Sequence, residues 1–458
     1  VVVGDEAGTA ITTGDNNVLV GYASGDAITT QSNITAVGNT ALTANTSGQR
    51  GTAVGSAALA GNTTGDYNTA VGFTALQANT TASNNTAVGY ASLAANTTGA
   101  GNVALGAGSL DANTTADNST AVGYNSLSAN TTGINNTGMG AFAMITNTTG
   151  ASNVAVGYAS LAGNTIANNN TAVGYNSLTA NTTGPANTAI GQSALLSNTT
   201  GGKNIAVGYQ AMNNNVDGDN CVAIGYQALY TQDPASNVDM YNVAVGHAAG
   251  ALITTATLNT LIGGLAGDAI TTGGENTTVG YASSGATTTG IRNAVLGNNA
   301  LLTNTTGGAN TAIGYSALYS NTTASNNTGI GYHALVNNTT AGNNTAVGYT
   351  AGASNTTGGL TAFGYRAAYS NTTGNTQSAF GTDALYSTTT GADNSAFGGF
   401  ALKANTTGAS NTAVGYNSLT ANTTAANNTA VGYGSLNANT TGTGNSAVGR
   451  SALGSNTT

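Results

Sequence analysis

Charge is the scarcest property of this chain. Asp, Glu, Lys and Arg together make up 5% of its 458 residues, where a typical soluble protein carries about 25%. Fifteen acids and six bases leave a formal net charge of −9, thinly spread. With no basic stripe to follow a phosphate backbone, nucleic acid is not an expected partner. Trp is absent and Pro occurs twice. The single cysteine, Cys221, excludes an intrachain disulfide. No apolar run approaches the roughly 20 residues that a membrane-spanning helix needs. Disorder is not indicated either, because 40% of the residues are hydrophobic and disorder goes with few apolar groups and high net charge.

What fills the space is repetition. Gly accounts for 67 residues. One set of glycines, each following Val, Ile, Leu, Met or Phe, recurs every 17 residues, as in Gly55, Gly72, Gly89, Gly106 and Gly123. There are 27 such units, with a longer step of 21 between Gly225 and Gly246 and a shorter one of 16 between Gly348 and Gly364. The unit reads N-T-A-V-G-Y-x-S/A-L-x-A-N-T-T-G-x-x. Gly in every unit and Asn-Thr-Thr in most of them disfavour helix. T-A-V-G-Y is strand-like and N-T-T-G is turn-like. A unit this short cannot bury its apolar face alone, but stacked copies can. The expected fold is therefore all-β: a parallel β-solenoid of 27 coils of 17 residues, one array over residues 1–458, irregular near 226–245 and 349–363. At about 4.8 Å per coil it would be roughly 130 Å long.

In-register stacking makes ladders. Val88, Leu105 and Val122 are expected to form one apolar core ladder, and Leu93, Leu110 and Leu127 a second. Asn79, Asn96, Asn113 and Asn130 are expected to stack in the turn, where amides can hydrogen-bond along the row. In a few coils Gly8, Gly25, Gly250 and Gly267 replace the leucine while Ile11, Ile28, Ile253 and Ile270 replace the turn asparagine. This suggests that the core is filled from the other end. Phe363, Phe380 and Phe397 are expected to stack in a wider core. If Val88 points inward, Ala87, Ala104 and Ala121 point outward. An apolar stripe of that length exceeds what a monomer tolerates, so these alanines are the expected assembly face of a self-associated rod.

The stretch Asn153-Val154-Ala155-Val156-Gly157-Tyr158-Ala159-Ser160-Leu161-Ala162-Gly163 resembles the head repeats of trimeric autotransporter adhesins, the YadA-like family, whose units have the form S-V-A-I-G-x-x-A-x-A-x-G-x-x. Asn204 to Gly208 resembles them too, and related repeats occur in phage tail fibres. The present unit is three residues longer, at N-T-T-G. The resemblance implies a left-handed β-roll, a homotrimer, and an extracellular fibre on a bacterial surface or virion that attaches to a host or cell-surface receptor or glycan. Anchor and tip domains would lie outside these residues.

Catalytic chemistry finds no constellation here, and neither an enzyme activity nor a cofactor is expected. His247 and His333 stand five coils apart, about 24 Å at sheet spacing. Cys221 has no His in its unit to activate it. Asp217 and Asp219, two residues apart in Asp217-Gly218-Asp219-Asn220, form a candidate calcium site, although the EF-hand spacing is missing. Asn-x-Thr at Asn79, Asn96 and Asn130 also fits a glycosylation acceptor. The alternative function is an ice-binding solenoid, suggested by rows such as Thr80/Thr81 and Thr114/Thr115. Adjacent threonines, however, face opposite ways in a strand, and these lie in a turn.

Overall fold

A computed structural model describes all 458 residues. It contains no helix; its regular structure is a long series of strands, nearly all of three residues. The chain divides into two units: Val1–Tyr226 with Asp233–Asp239, and Gln227–Gln232 with Met240–Thr458. Each is a parallel β-solenoid in which every coil contributes one strand to a single sheet. Thr86–Val88 pairs with Val103–Leu105, which pairs with Thr120–Val122, always residue on homologous residue. The second unit repeats this from Val243–Val245 to Ser446–Val448.

Within each coil the sequence dictates the path. The strand T-A-V ends at the recurrent glycine, which holds φ near +138° at Gly89, open in practice only to glycine. A tight turn follows, with Ala91 at φ 51° and Leu93 at φ 52°. A left-handed leucine costs about 1–2 kcal/mol. Its complete burial offsets that by about the same amount. A third left-handed residue, such as Asn84 or Asn118, re-aims the chain before the next strand, and Asn suits that conformation.

The core is narrow. Each regular coil buries the strand alanine, the turn leucine and two asparagines: Ala87, Leu93, Asn85 and Asn96 are all 0% exposed. This inverts the expected phase of the strand. Ala87, Ala104 and Ala121 point inward, while Val88 and Val122 are half-exposed and Leu105 is 47% exposed. The cause is volume. A β-carbon added at Gly138, which occupies the alanine position, would meet the Leu127 side chain at 3.3 Å. Leucine of the preceding coil already fills the interior, leaving room for little more than a methyl group. Val88, Leu105 and Val122 are therefore not a core ladder, and Ala87, Ala104 and Ala121 cannot be an assembly face. Leu93, Leu110 and Leu127 are fully buried.

The exceptional coils keep this volume constant. Ile28, Ile253 and Ile270 are fully buried, and a β-carbon at Gly25 or Gly267 would lie 2.7 Å from the δ-carbon of Ile28 or Ile270. Two of these coils carry leucine instead of alanine in the strand, Leu19 and Leu261, both fully buried; the coil of Ile253 keeps Ala244, and Leu229 and Leu261 of its neighbours fill the space beside Gly250. Leu360 plays the equivalent part at the 16-residue step, with its δ-carbon in the space beside Gly352. The missing residue there shortens a turn only, since Thr345–Val347 still pairs with Thr361–Phe363. Of the added residues in the 21-residue step, Ala235–Asp239 are exposed. Val238–Asp239 adds a two-residue strand beside Gly218–Asp219.

Candidate interaction surfaces

Two amide systems run through the interior. In the turn, Asn79 Nδ2 donates to Asn62 Oδ1 at 2.7 Å, Asn96 to Asn79 at 3.0 Å and Asn113 to Asn96 at 2.8 Å. The other Nδ2 proton goes to a carbonyl three residues on, as from Asn96 to Gly99 at 2.9 Å. The second system, ahead of the strand, is one that the sequence reading passed over. Asn85 Oδ1 accepts from the Asn102 backbone N–H at 2.9 Å, and Asn102 Nδ2 donates to Ala116 O at 2.8 Å. Its signal was an asparagine immediately before T-A-V, recurring with the same period. Because Asn79, Asn96, Asn113 and Asn130 are fully buried with both amide protons engaged, a folded coil has no room for a glycan on them.

The outer face of the strand presents Thr and Val side by side. The hydroxyls of Thr69, Thr86 and Thr120 make no hydrogen bond within the protein, whereas the turn hydroxyl of Thr97 is spent on Thr114 O at 3.0 Å. Phe363, Phe380 and Phe397 belong to this outer face. Their rings stack at 5.1 and 4.9 Å, but Phe363 and Phe397 are 38% and 42% exposed. The aromatic ladder exists, then, on the surface rather than in a widened core, for the same reason that Val88 is outside.

After the recurrent glycine a row of tyrosines lines another outer edge. Tyr158 stacks on Tyr175 at 5.4 Å, Tyr315 on Tyr332 at 5.5 Å, Tyr332 on Tyr349 at 5.2 Å and Tyr349 on Tyr365 at 5.3 Å. His333 lies against this row, 4.0 Å from the Tyr332 ring and 5.7 Å from that of Tyr315. A little further along, Arg366 sits over the rings of Tyr365 and Tyr386 and forms a two-pronged ion pair with Asp383, at 2.9 and 2.8 Å. Lys403 reaches the same carboxylate at 3.2 Å. Burial opposes ionisation of Asp383, but hydrogen bonds from Arg366 and Lys403 outweigh it and hold the carboxyl below its ordinary range.

The other polar candidates are engaged separately. Asp217 accepts from the hydroxyls of Thr199 and Thr200 at 2.9 and 2.6 Å, and Asp219 from the Gly202 N–H at 2.6 Å. No three His, Cys, Asp or Glu side chains come together in a metal-binding group. Cys221 is buried in the place of a ladder asparagine, its N–H donating to Asn204 Oδ1 at 3.0 Å. No helix is long and apolar enough to cross a membrane. Neither a family model nor a curated protein matches the chain.

Proposed function

We propose that this chain is a structural fibre or adhesin segment that works outside the cell, as a rigid spacer and an attachment surface without catalysis, in the manner of trimeric autotransporter heads and tail fibres. One observation carries the reading. Coil after coil, the inward polar groups are spent on the neighbouring coil, while the outward rows of Thr, Val and Tyr repeat with little change. Such a surface suits adhesion distributed along a length rather than chemistry at a point. The same reading includes a left-handed coil and a parallel homotrimer. With alanine inside, the trimer would pack through the Thr/Val strand face, where exposed β-branched side chains form a stripe within each unit. Purified chain should bind saturably to the surface of its target cells in flow cytometry, and absence of binding to any cell surface would remove the adhesive part. Light scattering tests the assembly: wild type should be trimeric, and Val71→Lys/Val88→Lys/Val122→Lys should be monomeric.

A second reading has one specific observation in its favour. The strand threonines, unlike those of the turn, offer free hydroxyls beside valine methyls on a flat β-face, an arrangement able to order water. Measurable thermal hysteresis would favour ice binding.

A further inference from the structure

We infer that the second unit carries a binding groove for a neutral oligosaccharide, built on Tyr315, Tyr319 and His333. The inference deepens the adhesin reading by naming the class of ligand, and it rests on that reading for its biological role. The groove has a volume of about 440 Å³ and spans three successive coils, from Asn299 to Asn337. That lies within the roughly 300–1,000 Å³ typical of small-ligand sites. Its walls combine three aromatic rings with the amides of Asn299 and Asn337 and two serine hydroxyls.

Two features set it apart from the rest of the tyrosine row. The first is local sequence. Where His333 stands, the coils of Tyr90 and Tyr158 carry Ala91 and Ala159, and where Tyr319 stands they carry Ala94 and Ala162; Tyr386 and Phe400 repeat the two-ring pairing, but beside the charges of Arg366, Asp383 and Lys403. The extra rings turn an edge into a trough. The second is chemistry. No Asp, Glu, Lys or Arg lines the groove, so a charged ligand meets no fixed counter-charge there. The lining amides, hydroxyls and ring polar groups have no hydrogen-bond partner inside the protein. Apolar ring faces beside unengaged, uncharged donors and acceptors match a sugar, which offers C–H faces and hydroxyls together. The row continues through Tyr349 and Tyr365, at a spacing close to that of the coils, so the trough can accept a chain longer than one ring. An uncharged peptide is the other ligand of similar polarity, but the repeated ring spacing favours a polymer of repeating rings.

The test titrates the full chain with cellohexaose, chitohexaose and mannohexaose, following tyrosine fluorescence and calorimetry. At least one should bind. Tyr319→Ala and His333→Ala should each weaken that binding tenfold or more, and the pair should abolish it. Alanine occupies both places in other coils, with φ 51° at Ala91 against 54° at His333, so the variants should fold; circular dichroism checks this. Tyr90→Ala, on the tyrosine row of the first unit, should change nothing. Three results would each overturn the inference: no binding of any probe at millimolar concentration, equal loss with Tyr90→Ala, or binding of a neutral Tyr/Pro-rich peptide alone. Cell attachment separates the two claims. If the double variant still attaches and no sugar binds, the groove is wrong and the adhesin reading stands. If sugar binds and nothing attaches, the reverse holds.

Discussion

At the scale of the residue, the recurrent glycine is the least replaceable group. A β-carbon on Gly89 would lie 2.6 Å from the carbonyl carbon of Gly106 and must tolerate φ +138°. Both the strain and the clash are with backbone, which cannot step aside. Gly89→Ala should therefore cost about 3 kcal/mol or more, read as a lower midpoint in urea, and an effect within 0.5 kcal/mol would mean that the coils are not stacked this closely. That glycine was legible in the sequence, as were the leucines and the turn asparagines, because each is large or distinctive and recurs at one place. The orientation of Ala87 and Val88 was not. A strand of three residues offers a single alternation, and period two fits either phase equally well. Side-chain volume decides it, and the sequence does hold the clue: Leu19 and Leu261 replace the strand alanine in the coils that replace the turn leucine with Gly25 and Gly267. A residue that trades volume with a core leucine must face it.

At the scale of the coil, that trade makes the core a conserved volume rather than a fixed list of residues. Gly25→Leu alone would drive a side chain into the δ-carbons of Ile28 and Leu19, at 2.7 and 2.9 Å from its β-carbon, an overpacking cost of about 1–3 kcal/mol. Ile28→Asn alone should lose about 2–5 kcal/mol by vacating core. Ile28→Asn clears the nearer of the two side chains that Gly25→Leu would strike, although Leu19 stays where the common coil has alanine, so the double variant should be more stable than the sum of the two predicts, by about 1 kcal/mol or more in a denaturation cycle. Strict additivity would show that the two positions do not share space. The ion cluster of Arg366, Asp383 and Lys403 also works between coils. Asp383 has a folded pKa below its ordinary value, so it binds its proton less readily when folded. Its contribution is complete above the ordinary carboxylate pKa of about 4 and is lost as the pH falls through the lower folded value. Asp383→Asn should lower the melting temperature at pH 7 and shrink to no difference at strongly acid pH. An equal deficit at both would assign the loss to packing.

At the scale of the molecule, stability accumulates coil on coil, and in the 458-residue chain taken by itself the first strand of the first unit and the last strand of the second each have one unpaired edge. Val2–Val3 pairs only with Leu19 and Val20, and Ser446–Val448 only with Thr429–Val431. Val2, Val3 and Val448 are 51%, 57% and 76% exposed. In the interior each strand opens with an N–H that donates to the following coil, as Thr429 does to Asn445 O at 2.8 Å. Within these 458 residues, no later strand receives the N–H of Ser446. Because the repeat is the same throughout, the last coil of one molecule presents to the first coil of another the same register that joins neighbouring coils within a unit. Such a head-to-tail contact does not close on itself, and an uncovered edge is the usual site of strand addition. The 458-residue chain should accordingly associate end to end as its concentration rises, giving scattering masses beyond those set by any side-face trimer. Ser446→Pro removes the unpaired N–H while keeping an extended backbone, and should suppress this growth without lowering the melting temperature. If the wild-type chain keeps one mass over a hundredfold range of concentration, the edges are not adhesive. If Ser446→Pro grows as readily as wild type, the association runs through another surface, the Thr/Val strand face being the next to test.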